Sequence, residues 1–175
     1  MLDDRNIDLV QEGIDVGLRM GELPDSSLTA RKIATSRRIA VATPKYLARA
    51  GEPKAPGDLV AHENVIYSVG GGGAVWTFKR GDAAVRVTVH GRLHVSAAEG
   101  VRAAVLADGG IAIASEWMFS PELRNGAVKT VLDDWGLPPM DLWAVFPTGR
   151  AATTKARTFV SFVEEVMRGQ VAPTP

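Results

Sequence analysis

Along this chain the spacing of apolar positions switches repeatedly between a period of two and a period near 3.6. "DDRNIDLVQEG" places Ile7 and Val10 three apart and stops at Gly13, which predicts a short helix closed by glycine. "IDVGLRM" then alternates, with Ile14, Val16, Leu18 and Met20 on one side, and the turn "GELPDSS" leads into the strand patterns "LTARKIA" and "RRIAVA". Thr43 and Pro44, an N-cap and a first-turn proline, open a helix over "KYLARAG", and "PGDLVAHE" reads as one more helical turn. "VWTFKR", the turn "GDAA" and "AVRVTVHGRLHV" follow as short strands, an all-β stretch inside an α/β chain. "SAAEGVRAAVLADGG" carries the clearest helical signal. Ser96 and Glu99 match the S-x-x-E capping box, and Val101, Ala104 and Val105 recur at helical spacing. A buried strand "GIAIA", the helix and turn "SEWMFSPELRNG", and the strands "AVKTVL" and "MDLWAVF" come next. "TTKARTFVSFVEEVMRG" closes the pattern as an amphipathic helix with Ala156, Phe159, Val160 and Val163 on one face, followed by a frayed tail, "QVAPTP".

Composition narrows the function classes. At 175 residues, 46% hydrophobic and 23% charged, the chain is expected to be a soluble globular protein that folds as one domain or as two small lobes. Lysine plus arginine and aspartate plus glutamate both total 20, so there is no bulk positive field to hold nucleic acid or an anionic membrane. The absence of cysteine removes disulfides, thiolate zinc sites and cysteine nucleophiles, and suits a reducing compartment. No apolar run approaches the ~20 residues of a membrane span, and "MLDDRNIDLV" lacks the basic and apolar regions of an export signal.

The candidate chemistry is mostly negative. The run Gly70–Gly73 suggests a phosphate cradle, but a Walker-type loop needs a lysine and a helix start after its glycines, and here Ala-Val-Trp-Thr-Phe follows. A flexible loop between strands is expected instead. His90 and His94 lie four apart in an extended segment, about 13 Å, too far to share one zinc ion. Ser115 stands beside Glu116 without a G-x-S-x-G elbow and reads as a helix N-cap. Asp133 and Asp134 are adjacent and point apart, and Arg37, Arg38 and "ARK" are too short for a nucleic-acid stripe. With no catalytic set, no metal site and no cofactor motif, a binding module is expected rather than an enzyme.

Four phrases, "DDRNIDLVQEGIDVGLRMGELPDSSLTARKIATSRRIAVATPKYL", W-x-F at Trp76–Phe78, "GVRAAVLADGGIAIASEWM" and "LWAVFPTGRAATTKARTFVSFVEEVM", resemble in order and spacing the C-terminal effector-binding domain of LysR-type transcriptional regulators. The likeness covers nearly the whole chain. It implies a two-lobed α/β fold similar to type 2 periplasmic binding proteins, with two crossing strands and a small-molecule effector in the cleft. The crossings are expected near Arg38 to Thr43 and Asp141 to Phe146, giving lobe I as 1–38 plus 143–175 and lobe II as 39–142. The family's helix-turn-helix, linker helix and first lobe I strand and helix have no counterpart in the sequence. Lobe I is therefore expected to be incomplete and the weaker half, effector affinity reduced or absent, the family's homodimer in question, and DNA binding by this chain alone absent.

Ligands in open α/β folds gather at strand C-termini and helix N-termini. Thr43 after "RRIAVA" and Ser96 after "GRLHV" are such positions, although N-capping alone also explains both. The resemblance puts them on the cleft, with Gly21 from lobe I and Ser115 after "GIAIA". A small organic effector, a carboxylate among the candidates, would bind there in a cytoplasmic bacterial regulator. The alternatives are a solute-binding protein of the same fold, which needs an export signal, an enzyme using the cleft, which needs a nucleophile or metal, and a regulator remnant without a function of its own.

Overall fold

A computed structural model describes residues 8–23, 29–68, 74–147 and 152–170. In chain order these hold β1 (Gly17–Met20), β2 (Thr29–Ser36), β3 (Arg38–Ala42), α1 (Pro44–Ala50), a 3-10 helix over Pro56–Ala61, β4 (Val65–Tyr67), β5 (Val75–Arg80), β6 (Ala83–Thr88), β7 (Leu93–Val95), α2 (Ala98–Leu106), β8 (Ala112–Ser115), a 3-10 turn over Glu116–Phe119, α3 (Ser120–Asn125), β9 (Lys129–Val131), β10 (Met140–Phe146) and α4 (Thr154–Gln170). The chain divides into two compact units, one over Arg37–Pro138 and the other joining 8–36 to 139–170.

In the larger unit, β3 pairs antiparallel with both β8 and β9. β4 pairs parallel with β7 and is tied to β8 by a parallel bridge between Asn64 and Ile111, closed by Val65 N–H to Ile111 O (2.8 Å) and Ile111 N–H to Glu63 O (2.9 Å). The order is therefore β7-β4-β8-β3-β9, with β3 alone running against the rest. Apolar residues alternate on β3 as the period of two demands, and both sides are buried. Ala40 and Ala42 join Tyr46, Leu47, Leu59, Trp76 and Phe78 on one face, while Ile39 and Val41 join Val101, Val105, Phe119 and Val128 on the other. The hairpin β5–β6, which turns at Gly81, is a lid on the first of these clusters.

Two glycines let neighbouring backbone come up to the start of β4, Gly91 ahead of β7 and Gly110 ahead of β8. A Cβ at Gly91 would lie 1.7 Å from Asn64 O, and one at Gly110, whose φ is +143, would lie 2.3 Å from Glu63 O. Only a residue without a side chain permits these backbones to approach so closely. Asn64, buried between them, donates from Nδ2 to the carbonyls of Leu59, His62 and His90 and so fixes the loops on either side.

In the smaller unit, β10 is the centre of an antiparallel sheet ordered β1-β10-β2, with a register shift between Leu142 and Trp143. Leu9, Leu142, Ala144, Val145, Ala156 and Val160 are buried. Residues 8–13, expected as the end of the first helix, are turns and not helix, with Asp8 Oδ1 accepting the N–H groups of Val10 and Gln11 and Gly13 at φ +64. The expectations for 3–7, for most of "GELPDSS", for the glycine run 70–73 and for 171–175 fall outside the described residues.

Two more local expectations are corrected. α2 begins at Ala98 with Ala97 as its N-cap, so Ser96 lies one residue too early to close a capping box with Glu99. On α4, Ala156 and Val160 are buried and Val163 half-buried, but Phe159 is 43% exposed. The apolar arc of α4 is wider than its contact with the sheet, and Phe159 falls in its outer part with Phe162 and Val166.

Candidate functional site

Strand direction decides which loops meet. Because β7, β4 and β8 run the same way, their C-terminal ends lie on one edge of the sheet of the larger unit. Ser68 follows β4 and its N–H donates to Val95 O (2.9 Å), which brings it beside Ser96 at the end of β7. Ser115 ends β8 on the same edge, roughly 10 Å from Ser96 by the spacing of neighbouring strands. β3 starts there: Arg38 faces Ser115 in the ladder, and Glu116 N–H donates to Arg37 O (2.9 Å).

The chemistry of this edge is polar and partly committed. Ser96 is exposed, two residues ahead of α2, and its hydroxyl makes no capping bond among the described residues. Ser68 is half-buried. Ser115 is 5% exposed and its Oγ accepts the Trp117 N–H at 3.2 Å, the cap of the 3-10 turn over 116–119. The Arg37 guanidinium grips Glu116 through Nε to Oε2 (3.3 Å) and Nη2 to Oε1 (3.1 Å). That hydrogen-bonded carboxylate, with the field of Asp133 behind it, holds the Arg37 pKa above its ordinary value.

Thr43 lies elsewhere. It follows the C-terminal end of the one reversed strand, five residues from Arg38, which puts it roughly 17 Å from the Arg38–Ser115 pair. Its hydroxyl is spent twice, accepting the Tyr46 N–H (3.1 Å) and donating to Asp108 Oδ1 (2.6 Å). Asp108 stands at φ +59 in the turn after α2, its Oδ2 2.6 Å from Lys45 Nζ and its carbonyl accepting from Arg49 Nη2 (3.2 Å). The hydrogen bonds from Lys45 and Thr43 hold the Asp108 carboxyl below the usual carboxylate range. The Thr43 hydroxyl and the Lys45 ammonium are thus both engaged by the chain's own carboxylate.

Gly21 belongs to the smaller unit. At φ +92 it needs the freedom of glycine, its N–H donates to Asp141 O (2.8 Å), and its carbonyl accepts from Trp143 Nε1 (3.0 Å). Asp141 itself receives Thr35 Oγ1 (2.6 Å) and Lys32 Nζ (2.9 Å), so the turn is anchored on both sides.

Of the four positions singled out in the sequence, the structure brings Ser96 and Ser115 to one edge and sets Thr43 at the opposite one. Sequence reasoning missed Ser68 and the Arg37–Glu116 pair. Ser68 carries the signal that found Ser96, a serine just past a short strand, and a parallel β4–β7 pair would have linked them.

The comparisons agree with this architecture. The model of the LysR substrate binding domain matches residues 2–168. An HTH-type transcriptional regulator of Xanthomonas campestris is 32% identical over 93% of this chain and 48% of its own length. The full-length structure of the Vibrio cholerae virulence activator AphB is 29% identical with a TM-score of 0.77, covering 95% of this chain and 56% of that one. The regulatory domain of CrgA, a LysR-type transcriptional regulator from Neisseria meningitidis, is 25% identical with a TM-score of 0.79, over 90% of this chain and 77% of that one. The chain spans about half the length of the curated relatives it matches. Taken with the two α/β units and their sheet orders, the match over 2–168 makes this chain a member of the LysR substrate-binding domain family of transcriptional regulators.

Proposed function

We propose that the chain is the effector-sensing part of a transcriptional regulator and that a small organic molecule binds at the strand-end edge of the larger unit marked by Ser68, Ser96 and Ser115. The observation that supports this reading most is the common ending of β7, β4 and β8, with a Ser96 hydroxyl just before α2 that makes no capping bond among the described residues. Strand C-termini at such an edge collect loops without filling them, which is why open α/β sheets bind ligands there. Within the smaller unit, Gly21 is proposed as a separate ligand-facing position, since nothing lies within 4 Å of a Cβ built on it. Thr43 takes the role of a structural cap.

In this reading occupancy of the edge shifts the balance between conformations that the rest of the regulator converts into altered DNA binding or transcription. The chain itself performs no catalysis, works in the cytoplasm, and does not bind DNA in isolation. Self-association, as in regulators of this kind, belongs to the same proposal. The regulator identities of the relatives speak against the solute-binding alternative.

Thermal unfolding against a panel of small organic acids and their neutral amides tests the proposal. A true ligand at 100 times its Kd adds about 2.7 kcal/mol. Ser96→Ala and Ser68→Ala are expected to lose the midpoint rise, and Thr43→Ala to unfold earlier yet keep it. A compound whose effect survives both serine changes but vanishes in Thr43→Ala would move the site to the other edge.

A further inference from the structure

The Arg37–Glu116 pair occupies the same edge as Ser96 and Ser115, and its geometry is that of a receptor already holding a ligand. Arg37 begins the described part of the larger unit, directly beyond the Arg38–Ser115 rung, and its fork meets both oxygens of one carboxylate. A guanidinium is the group that recognises a carboxylate bidentately, and Glu116 shows that this fork accepts one where it stands.

The pair is exposed, at 58% for the Arg37 side chain and 42% for that of Glu116. Exposed ion pairs are worth little, so an exchange of partner is cheap for the protein. Contrast Asp108 at the far edge: it is locked by Thr43 and Lys45 at once, within a turn at positive φ, and offers no comparable freedom.

We infer that Arg37 is the effector's carboxylate receptor and that Glu116 is a built-in counter-ion which the effector displaces. The inference rests on the edge site proposed above and adds the chemical class of ligand and the residue that selects it. In the free protein Glu116 satisfies Arg37. A small monocarboxylate or dicarboxylate, placed against Ser115 and Ser96, takes over the fork while Glu116 turns to solvent. A phosphate dianion suits the position less well, because it brings both negative charges to one guanidinium that already lies in the field of Asp133, whereas a dicarboxylate brings one carboxylate to the fork.

Calorimetry with benzoate and succinate, and with benzamide and succinamide as neutral matches, tests the exchange. Glu116→Gln removes the competitor and is expected to tighten carboxylate binding by about twofold to fivefold, the range set by an exposed pair. Arg37→Ala abolishes it, and Arg37→Lys, which keeps the charge without the fork, retains part of it. Amides gain nothing from any of these changes. Carboxylate binding unchanged in Glu116→Gln, or amides binding as tightly as acids, overturns the inference. A neutral compound that binds and is lost in Ser96→Ala, with both acids inert, leaves the edge site standing and removes Arg37 from it. If no compound binds any variant, the inference and the edge site fall together.

Discussion

The two units invest their apolar residues differently. The larger one sandwiches β3, β8 and β4 between two clusters, so each strand is covered on both faces and Phe78, Phe119, Val105 and Ile111 are fully buried. The smaller one buries a single layer between its sheet and α4, and leaves Leu18 and Met20 exposed on β1 and Phe159, Phe162 and Val166 on α4. Burial removes apolar area from water in proportion to coverage, so the same residue type stabilises the two units to very different extents. The proposed binding edge belongs to the doubly covered sheet, where packing on both faces helps polar groups hold their geometry.

Aromatic truncation tests the contrast most strongly. Phe119→Ala, at a site with no exposure, is expected to cost about 3–5 kcal/mol by urea unfolding. A loss under about 1 kcal/mol would mean that the second cluster collapses around the vacancy and the larger unit is less tightly packed than its burial suggests. Next comes Gly110→Ala, which places a Cβ against Glu63 O at a positive φ and breaks the tie between β4 and β8. A loss of about 2–3 kcal/mol is expected, with faster amide exchange at Val65 and Ile111.

Acid sensitivity separates the two edges more gently. The folded pKa of Asp108 is depressed, so its contribution is fully present above the unfolded value near the ordinary range and is lost as pH falls through the folded one. Wild type should therefore lose stability below about pH 4 more steeply than Asp108→Asn, measured as the urea midpoint against pH. Parallel curves would show that the Thr43–Asp108–Lys45 cluster does not stabilise the fold. The smallest effect belongs to the exposed face: Phe162→Ser, at 61% exposure, should stay within about 0.5 kcal/mol.

Much of the architecture was legible because it is written in short-range chemistry. Thr43-Pro44 opens α1, Gly126 closes α3 in the left-handed region, and the alternation of "RRIAVA" is the two-faced burial of β3. The candidate site was less legible, and for one physical reason. A period of two reads the same whichever way a strand runs, so nothing local to "RRIAVA" reveals that β3 opposes its neighbours and carries Thr43 away from Ser96. Direction is set by the Asn64–Ile111 bridge and by ladders between residues far apart in sequence. The Ser96 capping box failed on a different scale, since S-x-x-E spacing cannot show that α2 starts one residue later. Phe159 shares the apolar face of α4 yet stays exposed, because periodicity measures how wide an apolar arc is, while burial depends on how much of it a neighbour covers.

Backbone amide shifts followed by NMR during titration with a ligand found in the thermal panel test the central claim most directly. Perturbations are expected to concentrate at Ser68, Ser96, Ser115 and Arg37, with Thr43, Lys45 and Asp108 unmoved. Shifts centred on Thr43 and Asp108, with the serine edge silent, would contradict it.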